Sequence, residues 1–272
     1  MAERNCEIMS DAQIFAKDIL RIYEEKNGVS VCTLKDMNLQ VNKQEIVSLI
    51  GPSGCGKSTF LRLIAGLDKP QGGIIENDGE EISGLNKKCG FMFQEANLFP
   101  WLAIYDNVAF GLKINKKFKE NRKKVKNYID LMGLSGFEKS FPYQISGGIA
   151  SRASLARTFI QEPEIILLDE PLSALDAFTR ENLQEAIIKI WNENKPSIIL
   201  VTHDIEEAIY LSHRVIVMSE RPSKVVEEVK INIPYPRNRI SEEFIRYRKK
   251  IKEILEKKGK NKNEKEVVDV DS

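Results

Sequence analysis

The sequence predicts an α/β fold, and three observations carry that prediction. Four short, nearly pure apolar runs, EIVSLI (45–50), EIILLD (164–169), SIILV (197–201) and RVIVM (214–218), have the length and the Ile/Val content of strands buried on both faces, as in a parallel sheet. Helical patterns alternate with them: 58–65 closes at Gly66, 181–191 precedes the third run, and 206–211 separates the last two. The first run leads straight into a glycine-rich loop, GPSGCGKST (51–59), and from there into a helix.

Between about 96 and 145 no strand-like run occurs. KKFKENRKKVKNYIDLMG sets Val125, Tyr128, Ile129 and Met132 at helical spacing, with Gly133 placed to end the helix, so this region reads as a helical insertion in the sheet domain. The end, SEEFIRYRKKIKEILEKKGKNKNEKEVVDVDS, starts as a basic amphipathic helix and passes into polar residues that read as a solvated tail, with a membrane or partner contact as the alternative.

Composition bounds the function. The 272 residues suit one large domain or two small ones. With 41 Lys+Arg against 40 Asp+Glu there is no global case for a nucleic-acid binder. Cys6, Cys32, Cys55 and Cys89 never form a C-x-x-C pair, which argues against metal clusters and a disulfide framework and fits a reducing compartment. MAERNCEIMSDAQIF lacks the apolar core of a signal peptide, and no apolar run approaches the roughly 20 residues that span a bilayer. The expectation is a cytosolic chain, or one that sits against a membrane through a partner.

The loop Gly51–Thr59 matches G-x-x-x-x-G-K-[ST] in the required place, after a buried strand and before a helix. Its glycines permit a tight turn that points successive backbone N–H groups inward, and the helix N-terminus adds positive potential. In that pattern Gly51, Pro52, Ser53, Gly54, Cys55, Gly56, Lys57, Ser58 and Thr59 bind phosphates. Lys57 reaches the β- and γ-phosphates, and the Ser58 hydroxyl ligates Mg²⁺. Cys55 is otherwise a small side chain filling a turn; the functional expectation is that its alkylation blocks nucleotide binding and that MgATP protects it.

Asp169, at the end of EIILLDEP, fits a second Mg²⁺ contact, and Glu170 fits a carboxylate that positions and polarises an attacking water. Alone, the pair also reads as an acidic strand end. His203 in ILVTHDIEEA follows another buried run, at the carboxyl end of a strand where α/β folds bind ligands, and its imidazole is suited to hydrogen-bond a phosphate oxygen or the catalytic water. His213 precedes a strand and receives no role.

With these elements in order, the chain resembles the nucleotide-binding subunits of ABC transporters over about residues 12–237. GPSGCGKST resembles Walker A, IILLDEP Walker B, SALD (173–176) the D-loop with Asp176, and VTHD the switch-histidine segment. The resemblance implies a P-loop NTPase with a RecA-like core, an antiparallel β subdomain, an inserted helical subdomain at about 96–150, and a C-terminal helix and disordered tail at 238–272. It implies ATP and Mg²⁺ as ligands, with Glu170, His203 and Gln94 of FMFQEANLFP as catalytic residues and Ser58, Gln94 and Asp169 at the metal. Tyr23 of LRIYEEK is the implied adenine-stacking aromatic, a strand-edge tyrosine being the alternative.

LFPWLAIYDNVAFGL and LDAFTRENLQEAIIKIW resemble the importer ATPases for nitrate, sulfonates, taurine, bicarbonate and pyrimidine precursors of thiamine. The partners so implied are a membrane permease, an extracytoplasmic solute-binding protein acting indirectly, and a second cassette forming a homodimer or heterodimer, at the cytoplasmic face of the membrane. Leu98, Phe99 and Trp101 are plausible groove residues for the permease; for Phe99 or Trp101 core packing is the alternative.

QISGGIASR (144–152) resembles the ABC signature, in which Ser146, Gly147 and Gly148 cover the γ-phosphate held by the opposite subunit. Family members usually carry a basic residue and then Gln where this chain has Ala150 and Ser151. The anion contact rests on the Ser146 hydroxyl and backbone N–H groups, so the expectation is weaker or slower dimer closure through a lost charge and a lost amide near the dimer interface, without loss of hydrolysis. The alternative is a weakly hydrolysing regulatory or structural subunit paired with a more active cassette.

Overall fold

Two runs of alternating burial, broken by bulges, open the fold. β1 (Ala12–Glu24) and β2 (Ser30–Asn42) pair antiparallel, and β4 (Gly72–Asn77) and β5 (Glu80–Glu81) extend them into a sheet of order β2-β1-β4-β5. The computed structural model describes residues 11–24 and 28–263; Cys6 and the polar tail expected beyond 263 lie outside them. The chain divides into two compact units, residues up to Leu85 together with those from Val201 on, and Asn86–Leu200.

In the first unit, β3 (Ile46–Ile50) and β9 (Arg214–Met218) pair parallel, and β10 (Val225–Lys230) adds antiparallel to β9. All five residues of β3 are buried, as its unbroken apolar run requires of a strand covered on both faces. α1 (Lys57–Ile64) follows the loop after β3, α6 (Ile205–Leu211) packs on β3 and β9, and α7 (Glu242–Asn263) packs on α6 and β9. Phe244 and Ile251 of α7 are fully buried, which is where the amphipathic pattern of the C-terminal stretch is spent.

In the second unit, β6 (Cys89–Met92) and β7 (Ile165–Asp169) pair parallel, with order β8-β7-β6 for β8 (Ser197–Val201). Helices α2 (Ile104–Ile114), α3 (Arg122–Leu131) and α4 (Gly147–Phe159) pack on one another, and α5 (Ala177–Asn194) leads into β8. Val125, Tyr128, Ile129 and Met132 form the buried face of α3, and Gly133 follows with positive φ. The four apolar runs are therefore β3, β7, β8 and β9; β1, β2, β4, β5, β6 and β10 carry no such run.

Candidate functional site

In the first unit the phosphate loop links β3 to α1. Gly56 has φ 120°, and a Cβ there would lie 2.9 Å from Thr33 Cγ2, so the turn is open to glycine alone. Lys57, 6% exposed, donates from Nζ to the Gly51 and Pro52 carbonyls, each at 2.9 Å. The ammonium is thus held over the loop, where an anionic oxygen would meet both it and the N-terminus of α1. Pro52, Ser53 and Gly54 are exposed, and Ser58 and Thr59 are half-buried in the first turn of α1. Arg221 donates from Nε to the Gly54 carbonyl, and with Glu220 and Pro52–Cys55 it lines a cavity of about 390 Å³.

Cys55 fits the packing alternative. Its side chain is 2% exposed, and its Sγ lies 3.9 Å from Lys57 Nζ on the inner side of the loop. The thiol is packed inside the turn as a small filler, and an alkyl group on it would have no room beside Lys57 without displacing the loop.

Tyr23 stands in β1 with Arg21 over its ring, 4.2 Å from the centroid, and its hydroxyl donates to Asp68 at 2.7 Å. Arg21 completes the cluster with Nε 2.9 Å and Nη2 2.8 Å from the same carboxylate. Burial works against ionisation of Asp68, but the bonds from Tyr23, Lys69 N–H and Arg21 outweigh it and hold the carboxyl below its usual range.

His203 is exposed in the turn between β8 and α6. A dense set of bonds shapes that turn. Asp204 Oδ1 accepts from the N–H of Glu206 at 2.8 Å and of Glu207 at 3.2 Å, and Thr202 Oγ1 accepts from Asp204 N–H at 3.0 Å while donating to Glu207 at 2.5 Å. His213 serves packing instead: its Nδ1 accepts from Ile46 N–H at 2.9 Å.

In the second unit Asp169 ends β7 with 3% exposure. Glu170, next along, has φ 49°, a left-handed conformation that costs a glutamate about 1–3 kcal/mol and persists only where the surroundings impose it. They do so through Ser173, whose N–H and Oγ both donate to the Glu170 carbonyl at 3.3 and 2.9 Å. The Glu170 carboxylate accepts from Gln94 Nε2 at 3.3 Å, so two residues chosen from separate motifs meet here.

Ser146 caps α4, its Oγ accepting from Ile149 N–H at 3.4 Å. Gly147 has open space where a side chain would stand, whereas a Cβ on Gly148 would lie 3.1 Å from Leu175 Cδ2 and 3.4 Å from the Ala174 carbonyl. Both neighbours belong to the segment preceding Asp176, which caps α5 through Thr179 N–H at 3.0 Å; that bond lowers the carboxyl's pKa. The expected loss at Ser151 is corrected. Its side chain points inward, 8% exposed, and donates to the Pro171 carbonyl at 2.7 Å, so it braces the backbone beside Glu170 and offers nothing to an outside surface.

Leu98 and Phe99 are half-buried, and Phe99 packs between Trp101 and Phe110 at centroid distances of 5.6 and 4.2 Å. Trp101 is 69% exposed, which excludes a core role for it. Asn107 was not singled out by its sequence pattern, yet it is fully buried and its amide holds the loop from both sides. Oδ1 accepts from Phe99 N–H at 2.8 Å, and Nδ2 donates to the carbonyls of Phe99, Leu102 and Ala103 at 3.1, 2.9 and 3.3 Å. The available signal was a polar residue on an otherwise apolar helical face, IYDNVAF.

The chain is similar to known proteins in sequence and in fold. Residues 34–173 match the ABC transporter family, and the chain belongs to that family. It is an ABC-type ATPase with a P-loop NTPase fold. The aliphatic sulfonates import ATP-binding protein SsuB of Bacillus cereus is 47% identical over 237 residues, 87% of this chain and 94% of that protein. The taurine import ATP-binding protein TauB of Pelagibacter ubique is 42% identical over 228 residues, 84% of each. Among solved structures, the dimeric post-hydrolysis state of the ATP-binding cassette MJ0796, bound to ADP and Pi, matches with TM-score 0.73 and 32% identity over 81% of this chain and 100% of its own.

Proposed function

We propose that this ATPase drives import of a small sulfonate or related solute through a membrane permease, with an extracytoplasmic solute-binding protein acting upstream. The relatives named for aliphatic sulfonates and taurine support this solute class. The working form is a head-to-tail dimer of two copies at the cytoplasmic face of the membrane, each ATP lying between one phosphate loop and the opposite Ser146–Gly148; the dimeric cassette with ADP and Pi supports that state.

The observation that carries the catalytic assignment is Glu170, kept in a left-handed conformation with its carboxylate on Gln94. Glu170 orients and polarises the attacking water, His203 donates to a γ-phosphate oxygen, and Lys57 with the α1 N-terminus binds the transferred group, so that positioning and electrostatics supply most of the rate. The Ser58 hydroxyl, the Gln94 amide and the buried Asp169 carboxylate are hard oxygen donors of the type Mg²⁺ takes alongside phosphate oxygens and water. Mg²⁺ held by donors of this kind would offset charge on the phosphates. Tyr23 stacks on adenine, and exposed Trp101 belongs to the permease-docking surface.

Glu170→Gln keeps the hydrogen-bonding shape and removes the base. With ATP it should run as a dimer in gel filtration and turn over at least about 100-fold more slowly, the range lost with a general base. A variant that stays monomeric and hydrolyses normally would show that Glu170 is not the base.

A further inference from the structure

α6 is a short helix with an unusual amount of machinery at its far end. Seven residues, Ile205–Leu211, follow the His203 turn, and the carbonyls at the end of such a helix have no partner within it. Here they are taken up by two side chains from the segment after β10. Arg237, 4% exposed, donates from Nη1 to the carbonyls of Ile209, Tyr210 (3.3 Å) and Ser212 (2.7 Å), and from Nε to the Ile233 carbonyl at 2.9 Å. Tyr235 donates its hydroxyl to the Leu211 carbonyl at 2.6 Å, and the Arg237 guanidinium lies 4.3 Å from the Tyr235 ring centroid. A buried guanidinium facing carbonyls at a helix C-terminus is favoured by the helix dipole, and its planar fork reaches several acceptors at once in a way an ammonium cannot.

The same C-terminal stretch also touches the other end of α6 at the surface. Arg248 of α7 meets Glu206 at 2.6 Å, in the first turn, where Asp204 caps the helix. From those two ends the geometry points to a positioning role. We infer that Arg237, assisted by Tyr235, is a positioning residue for hydrolysis: it fixes α6 axially, and thereby fixes the Thr202–Asp204–Glu207 bonds that shape the turn carrying His203. The inference rests on the proposed role of His203 at the γ-phosphate. It gives the segment after β10 a part in the ATPase cycle that no catalytic motif covers.

The test uses the 272-residue chain and four variants: His203→Ala, Arg237→Lys, Arg237→Ala and Tyr235→Phe. Arg237→Lys keeps the charge but not the fork, so kcat should fall about tenfold while KM for ATP and the affinity for a fluorescent ATP analogue stay within about twofold, because a misplaced catalytic group slows the reaction without changing the contacts that bind the nucleotide. Tyr235→Phe should lower kcat less, in the same direction. Both variants should accumulate ATP-bound dimer in gel filtration, as His203→Ala should, a signature that lost stability alone does not produce. Arg237→Ala is judged only if it folds; the other two variants carry the test if it does not.

A fall in ATP affinity in step with kcat, or a wild-type kcat in Arg237→Lys, overturns the inference while an inactive His203→Ala leaves the histidine's role standing. A fully active His203→Ala removes that role and the inference with it.

Discussion

Ser151 and Asp68 show how single side chains near the site spend their polar groups. Ser151 donates to the Pro171 carbonyl from a buried position. Ser151→Ala strands that carbonyl, so it should cost about 1 kcal/mol of stability, read as a lowered urea midpoint with unchanged slope. The Asp68 carboxyl is ionised at a lower pH than an unfolded aspartate, so its cluster with Arg21 and Tyr23 contributes stability that is complete above the unfolded value of about 3.9 and fades as pH falls through the lower folded value. Asp68→Asn should therefore be less stable than the wild type at pH 7, with the gap narrowing below about pH 4. A constant gap down to pH 2 would show that the carboxylate's charge is not what Tyr23 and Arg21 recognise. Neither role is written in the local sequence, since the partners stand 20 and 45–47 residues away.

At the scale of elements, the strands buried on both faces were legible; the short parallel β6 and the antiparallel strands were not, the antiparallel sheet being implied only by the family resemblance. β3, β7, β8 and β9 are runs of large apolar residues, and burial on both faces leaves few alternatives. β1 and β2 lose their period-two pattern at bulges, where Asp18 (φ 51°) and Asp36 (φ 54°) turn left-handed and the register shifts. The start of α2 presents the other case, a loop defined by one buried amide. Asn107→Ala removes four bonds from the segment 99–103, so it should cost about 2–3 kcal/mol by denaturation and make Trp101 more accessible to acrylamide in a Trp191→Phe background. Unchanged quenching would mean that the aromatic packing of Phe99 holds the loop by itself.

For the whole molecule, binding and folding are linked by mass action. ATP that binds only the folded chain stabilises it by about 2.7 kcal/mol at a hundredfold excess over Kd. MgATP should accordingly raise the Tm of the wild type and of Glu170→Gln, and leave Lys57→Ala unshifted. A rise in Lys57→Ala equal to that of the wild type would place the nucleotide's main contacts away from the phosphate loop. No helix among the described residues is long and apolar enough to cross a membrane.

The sequence by itself determined the phosphate loop, the buried strands around it and the ABC family. Those features depend on residues adjacent in the chain: glycines that allow one turn, a lysine at a set spacing, apolar runs of strand length. Only the tertiary structure decided that Ser151 braces the backbone beside Glu170, that Cys55 is sealed under its loop, that Trp101 is exposed beside a buried Phe99, and that Arg237 closes α6. Burial and hydrogen-bond partners are properties of neighbours brought together from distant parts of the chain, and no local pattern encodes which neighbours those will be.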